Sequence, residues 1–142
     1  MILILYLKDR DRAAWLAVLN DSIKLSHDFL LISSQDSLLL NLDIFLKKNK
    51  LKLTSFSALI LAIHQASLTQ VKIATATANV LAWRFNWPLV GSFYFKEDFL
   101  LLLPKLLKNI KAKSKFSLLK VKYERQPDIT ISKKKPKFKI KK

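Results

Sequence analysis

Cysteine is absent from the 142 residues. A disulfide scaffold and a thiolate metal site are thereby excluded. Glycine occurs once, as Gly91. Phosphate-cradling loops need several glycines, because backbone must come close to phosphate, often at positive φ. A standard P-loop or dinucleotide-binding turn is therefore excluded too. No apolar run reaches the ~18 residues of a membrane-spanning helix. The apolar start, Met1 to Leu7, has no basic segment before it and stops at Lys8, too short for a signal peptide or a span. The expectation is a soluble, cytoplasmic protein. No repeat of 20 to 50 residues is visible.

What the chain has in abundance is apolar residues (51%) and lysine. Its length fits one globular domain. Lys and Arg number 26 against 10 Asp and Glu, a net charge of +16. Residues 1–104 carry 11 basic and 8 acidic side chains, and residues 105–142 carry 15 and 2. A nearly balanced body thus precedes a strongly basic end. Residues 133–142 alone hold seven lysines. Such a block repels itself and can bind a polyanion by counterion release. Lys133, Lys134, Lys135, Lys137 and Lys139 are the candidate RNA contacts, and a solubilising tail is the plain alternative.

Hydrophobic periodicity orders the chain. Residues 2–7, 13–19 and 23–32 read as three strands, with a tight turn at Asn20-Asp21-Ser22. A helix is expected from a cap at Ser34, with Asp36 in its first turn, to Lys48. Its broad apolar face is Leu38, Leu39, Leu42, Phe45 and Leu46; Leu40 and Ile44 form a second stripe without an obvious intrachain partner. Residues 51–57 connect to a continuous apolar strand, 58–63. Ser67 or Thr69 can cap the next helix, which carries Ala74, Ala78 and Ala82 in a row and ends before Pro88. Residues 89–91 read as a short strand, 96–112 as a helix broken or kinked at Pro104, and 118–123 as a last strand. This β-β-β-α-β-α-β-α order predicts a mixed α/β sheet flanked by helices. The expected division is a lobe over 1–112 and a basic, partly disordered extension over 113–142.

Catalytic chemistry is poorly supplied. His27 and His64 have no metal-ligand spacing. His27 reads as an exposed or edge residue. His64, at a strand end facing a helix start, is the best single catalytic candidate, yet no acid or nucleophile is near it in sequence. Asp9 and Asp11 alternate with Lys8, Arg10 and Arg12 and read as solvated ion pairs. Ser67 lacks the glycines of a nucleophile elbow. A binding module fits better than an enzyme, with no catalytic, cofactor or metal residue expected.

The segment 58–91 resembles the signature of the TsaB family, also called YeaZ, the dimerisation subunits of the bacterial tRNA threonylcarbamoyladenosine machinery. That pattern is a strand, a turn like Gly-x-Gly-Pro-Gly-Ser-Phe-Thr-Gly-x-Arg-Ile-Gly, then a helix before Pro-x-x-Gly. Ser67, Thr69, Lys72, Ile73, Leu81, Ala82, Pro88 and Gly91 fall in register with it. The helix from Ser34 to Leu46 resembles the family's His-Ser-Glu-x-Leu-Leu helix, and Tyr123 to Thr130 is similar to its Tyr-x-Arg-x-Pro-x-Ile-Thr ending. The family's turn glycines are here Ala62, His64, Ala66, Gln70 and Ala74, and its Asp-Thr-Ser-like strand end is Leu7-Lys8-Asp9. The resemblance implies a single actin-like, RNase H-like lobe that has lost its nucleotide site and most of the second lobe. It implies a non-catalytic scaffold pairing with a TsaD-like catalytic subunit, or with itself, in tRNA modification. The implied interface is Leu40, Ile44, Lys72, Ala74, Ala78 and Ala82. A stand-alone basic RNA-binding or membrane-surface protein is the alternative reading, and an ATP-using enzyme of the actin-like group the weakest.

Overall fold

The computed structural model describes residues 1–31 and 37–122. The expected cap at Ser34 and Asp36, the Tyr123 to Thr130 ending and the five candidate lysines of the tail lie outside the described residues. Five strands, β1 (Ile2–Leu7), β2 (Arg12–Leu19), β3 (Ser22–Leu30), β4 (Ala58–Ile63) and β5 (Leu89–Phe93), form one sheet. Among the described residues three α-helices, α1 (Ser37–Lys48), α2 (Leu68–Phe85) and α3 (Phe99–Lys111), and a 3₁₀ turn at Leu53–Ser55 accompany it. The expected order of elements is thus observed.

The sheet order is β3-β2-β1-β4-β5. β1, β2 and β3 form an antiparallel meander, while β1, β4 and β5 run parallel. The β2–β3 turn places Asn20 and Asp21 at φ 53° and 64°, as a two-residue hairpin turn matched to strand twist requires. Between Ala17 and Val18 the register shifts: Val18 faces Ile23 and Ala17 faces Leu25, with Lys24 as the extra residue of a bulge.

All six residues of β4 are buried, so both faces of the sheet need a cover. On one face α1 and α2 pack over Leu3, Leu5, Leu7, Trp15, Leu59 and Leu61. On the other, α3 covers Ile4, Ala14, Leu16, Ile60 and Ala62. The indole N–H of Trp15 donates to the Leu38 carbonyl at 2.9 Å, joining β2 to the start of α1. The Nε2–H of His27 donates to Asn41 Oδ1 at 3.0 Å and joins β3 to the same helix. Ser67, not Thr69, caps α2: its hydroxyl accepts from the Gln70 amide, and Gln70 Oε1 accepts from the Ser67 amide in return. Asn86, at φ 52°, closes the helix in the left-handed region before Pro88.

Three expectations are corrected here. Leu39 is exposed rather than part of the apolar face of α1, because its neighbours Leu38, Leu42 and Phe45 take the inward arc. Of the break or kink expected at Pro104, the break is overturned: α3 runs through it from Phe99 to Lys111. Pro104 occupies the outward face, and the Leu100 carbonyl that loses its donor sits on an exposed turn where water can serve it. Residues 118–122 are not a strand. They belong to an irregular strap that follows α3 and lies along α2 and β5.

Side chains, not a strand ladder, hold that strap. Asn79 on α2 pairs with both backbone groups of Leu119: its Oδ1 accepts from the amide and its Nδ2 donates to the carbonyl, each at 2.8 Å. The Tyr94 hydroxyl donates to the Lys122 carbonyl at 2.8 Å. Leu119 crosses β5 at its glycine. A Cβ on Gly91 would lie 2.7 Å from Leu119 Cδ2 and 2.9 Å from Phe93 Cε2, so a larger residue there would have to push the Leu119 and Phe93 side chains aside. Phe116, Leu119 and Val121 pack onto the core beneath α2, and the packed body reaches Lys122. Asn79→Ala should cost about 1–3 kcal/mol, since two partly buried backbone groups lose their partners. Urea unfolding reads the loss, and hydrogen exchange at the Leu119 amide should accelerate with it.

Candidate interaction surface

The two helices over the first face each bury one arc and expose another. On α1 the inward arc is Leu38, Leu42 and Phe45; Leu40, 59% exposed, and Ile44 point outward with Leu39. On α2 the inward arc is Val71, Ala74, Thr75, Ala78, Leu81 and Ala82. Its outward positions are Lys72, Ala76, Val80 and Trp83, with Val80 63% and Trp83 67% exposed. α1 and α2 also touch one another, so the two outward arcs belong to the same side of the molecule. Exposed aliphatic and aromatic residues of this size on neighbouring helices are the composition of a contact surface.

The alanine stripe does not belong to that surface. Ala74, Ala78 and Ala82 are completely buried in the core beneath α2. Their small size brings the helix close to its own sheet, not to a partner. Of the six expected interface residues, Leu40, Ile44 and Lys72 are exposed and three are interior. Val80 and Trp83, exposed on the same arc of α2 as Lys72, were not among the expected residues. The signal available for them was two large apolar residues on the arc opposite Val71, Ala78 and Leu81.

At the strand ends where α/β sheets commonly hold ligands, several side chains bond to the chain's own backbone or to one another. Gln70 donates from Nε2 to the Arg10 carbonyl at 2.6 Å while its Oε1 serves the α2 cap. The β1–β2 turn is thereby tied to the start of α2. Nδ1 of His64 donates to the Phe95 carbonyl at 2.6 Å. Lys8 pairs with Asp28 at 2.9 Å. Asp9 Oδ1 accepts from the Asp11 and Arg12 amides, each at 2.8 Å, and Asp9 Oδ2 pairs with the Arg12 guanidinium at 2.7 Å. Those bonds, led by the Arg12 side chain, hold the Asp9 carboxyl below its ordinary range. Burial, reinforced by Asp98, pushes the Tyr6 phenol up. Among the described residues no three His, Cys, Asp or Glu side chains group as a metal site, and no helix is long and apolar enough to cross a membrane.

No protein-family profile and no curated protein matches the chain. Among solved structures it is similar to YeaZ from Pseudomonas aeruginosa, with a TM-score of 0.56 and 18% identity. That match covers 65% of this chain and 43% of the other. A second similar structure is an uncharacterized protein with similarity to the peptidase YeaZ from Pseudomonas aeruginosa, at a TM-score of 0.54 and 19% identity. It covers 65% of this chain and 42% of the other. The fold is therefore the YeaZ-like α/β lobe expected from the sequence. The chain spans less than half the length of either structure.

Two outcomes check these assignments. Val80→Asp should leave stability within about 0.5 kcal/mol, whereas Ala78→Arg should lose about 3 kcal/mol or more, because it overpacks the core and buries a charge; thermal melts compare the two. The second concerns acid. A carboxyl with a depressed folded pKa adds stability above its unfolded pKa and loses it as pH falls through the folded value. Arg12→Ala should therefore raise the Asp9 pKa towards its ordinary value in an NMR titration and flatten the small acid-side change in stability. An unmoved pKa would assign the effect to the turn amides alone.

Proposed function

We propose that this chain is a YeaZ-type scaffold subunit, without catalysis of its own, that pairs through the outward arcs of α1 and α2 with a TsaD-like subunit acting in threonylcarbamoyl transfer to tRNA. One observation carries the reading: Leu39, Leu40, Ile44, Val80 and Trp83 stand exposed on two touching helices of a YeaZ-like lobe. Such arcs pack with helices of a partner by ridges into grooves. An exposed Trp beside aliphatic residues supplies an anchor of the kind on which such interfaces depend. Lys72 on the same helix gives the rim a cation.

The scaffold role is supported by how the strand ends are used. Gln70, Asp9 and Nδ1 of His64 bond to the chain's own backbone or to Arg12. Chemistry belongs, on this reading, to the partner. The basic residues 133–142 add electrostatic attraction for tRNA that weakens with salt.

Leu40→Asp combined with Val80→Asp tests the pairing. Both positions are exposed, so the variant should melt like the parent. Co-expressed with the TsaD-like protein of the same cell, the parent chain should co-purify and the double variant should not. Retention of the partner by a folded double variant would exclude this face.

A further inference from the structure

α3 lies on the sheet face opposite α1 and α2. Its inward arc, Phe99, Leu102, Leu103, Leu106, Leu107 and Ile110, is fully accounted for by the second core. The Tyr6 ring stacks on Phe99 with centroids 4.3 Å apart and fixes the start of the helix. The outward arc is unlike an ordinary solvated face. It opens with two adjacent leucines, Leu100 at 64% exposure and Leu101 at 75%. It continues through Pro104 to Lys105, Lys108 and Lys111, all exposed. No acidic residue occurs from Phe99 to Lys122, while seven lysines do. Lys111 is committed to Asp21, and Lys113 Nζ donates to the Leu89 carbonyl at 3.2 Å. Among the described residues, Lys105 and Lys108 have no acidic partner.

Exposed leucines are not needed to hold a nucleic acid, whose surface is phosphate, sugar and base. Leucines beside lysines, on one arc of a helix whose other arc is anchored, match a bilayer interface. There the apolar side chains enter the acyl boundary and the ammonium groups meet lipid phosphates. We infer that the outward face of α3 docks on an anionic lipid surface, with Leu100 and Leu101 inserted and Lys105 and Lys108 at the headgroups. Charge complementarity selects the occupant: the arc is cationic and apolar together, and an anionic bilayer offers both counterparts. The opposite face, with Leu40, Val80 and Trp83, stays turned away from the lipid, so docking leaves the proposed partner surface open.

The test is co-sedimentation of the full chain with phosphatidylcholine vesicles, with and without phosphatidylglycerol, at physiological ionic strength. Binding should require the anionic lipid. Leu100→Ser with Leu101→Ser should weaken it at least ~10-fold through lost insertion. Lys105→Glu with Lys108→Glu should weaken it at least ~25-fold, about fivefold for each lysine removed. All four positions are exposed, so melting should be unchanged; Leu101→Ser alone serves if the double variant does not fold. The basic residues 133–142 are the same in parent and variants, so only the parent-to-variant differences, and not the requirement for anionic lipid, report on α3. No binding to anionic vesicles overturns the inference. So does binding that the leucine variant leaves intact, which would be lysine attraction without docking of this face. A gel shift with duplex RNA provides the last arm: loss of RNA binding in the lysine variant with vesicle binding retained would assign the arc to nucleic acid instead. Failure of any arm leaves the α1–α2 pairing untouched, because that pairing is read by co-purification on the other face.

Discussion

The pairing of β1 with β4 governs the molecule. The two strands run parallel in register from Ile2 and Ala58 to Leu7 and Ile63, and β4 contains no polar side chain. A parallel pair cannot be joined by a tight turn, so the chain must travel through β2, β3 and α1 before it returns. A strand buried on both faces also obliges helices to lie on both faces. From these two demands follow the two cores, the placement of α1 and α2 on one side, and the need for α3 on the other. The outward arcs of the helices are then what remains for contact with anything else.

Much of this architecture was legible in the residues. Short apolar runs placed β1 and β2, alternation placed β3, and Asn20 and Asp21 adopt the positive φ that their small polar side chains tolerate. The unbroken apolar run at 58–63 identified the central strand. Ser67, Asn86 and Pro88 bounded α2, as capping physics demands. The exposure of Leu40 and Ile44 was legible because the rest of α1 offers a better inward arc.

The candidate surface on α2 was less so. A row of alanines says only that something comes close; whether it is the home sheet or another molecule depends on what flanks the row. Val71, Thr75 and Leu81 flank it here, and all of them are buried. The strap was hidden for a different reason. Its anchors, Asn79 and Tyr94, act on residues 40 and 28 positions away, and local pattern carries no trace of such a pair. Among the described residues, the apolar positions of 118–122 seat Leu119 over Gly91 rather than build a ladder.

The bulge in β3 has a consequence of parity. Side chains on a strand alternate faces, so Ile23, Leu25, His27 and Phe29 would all share one side of a regular strand. The extra residue, Lys24, resets the count. Leu25 and Phe29 join the core beneath α1 and α2, and Ile23 joins the one beneath α3. A single inserted residue thus lets one edge strand belong to two interiors, stitching layers that otherwise meet only through the sheet's backbone.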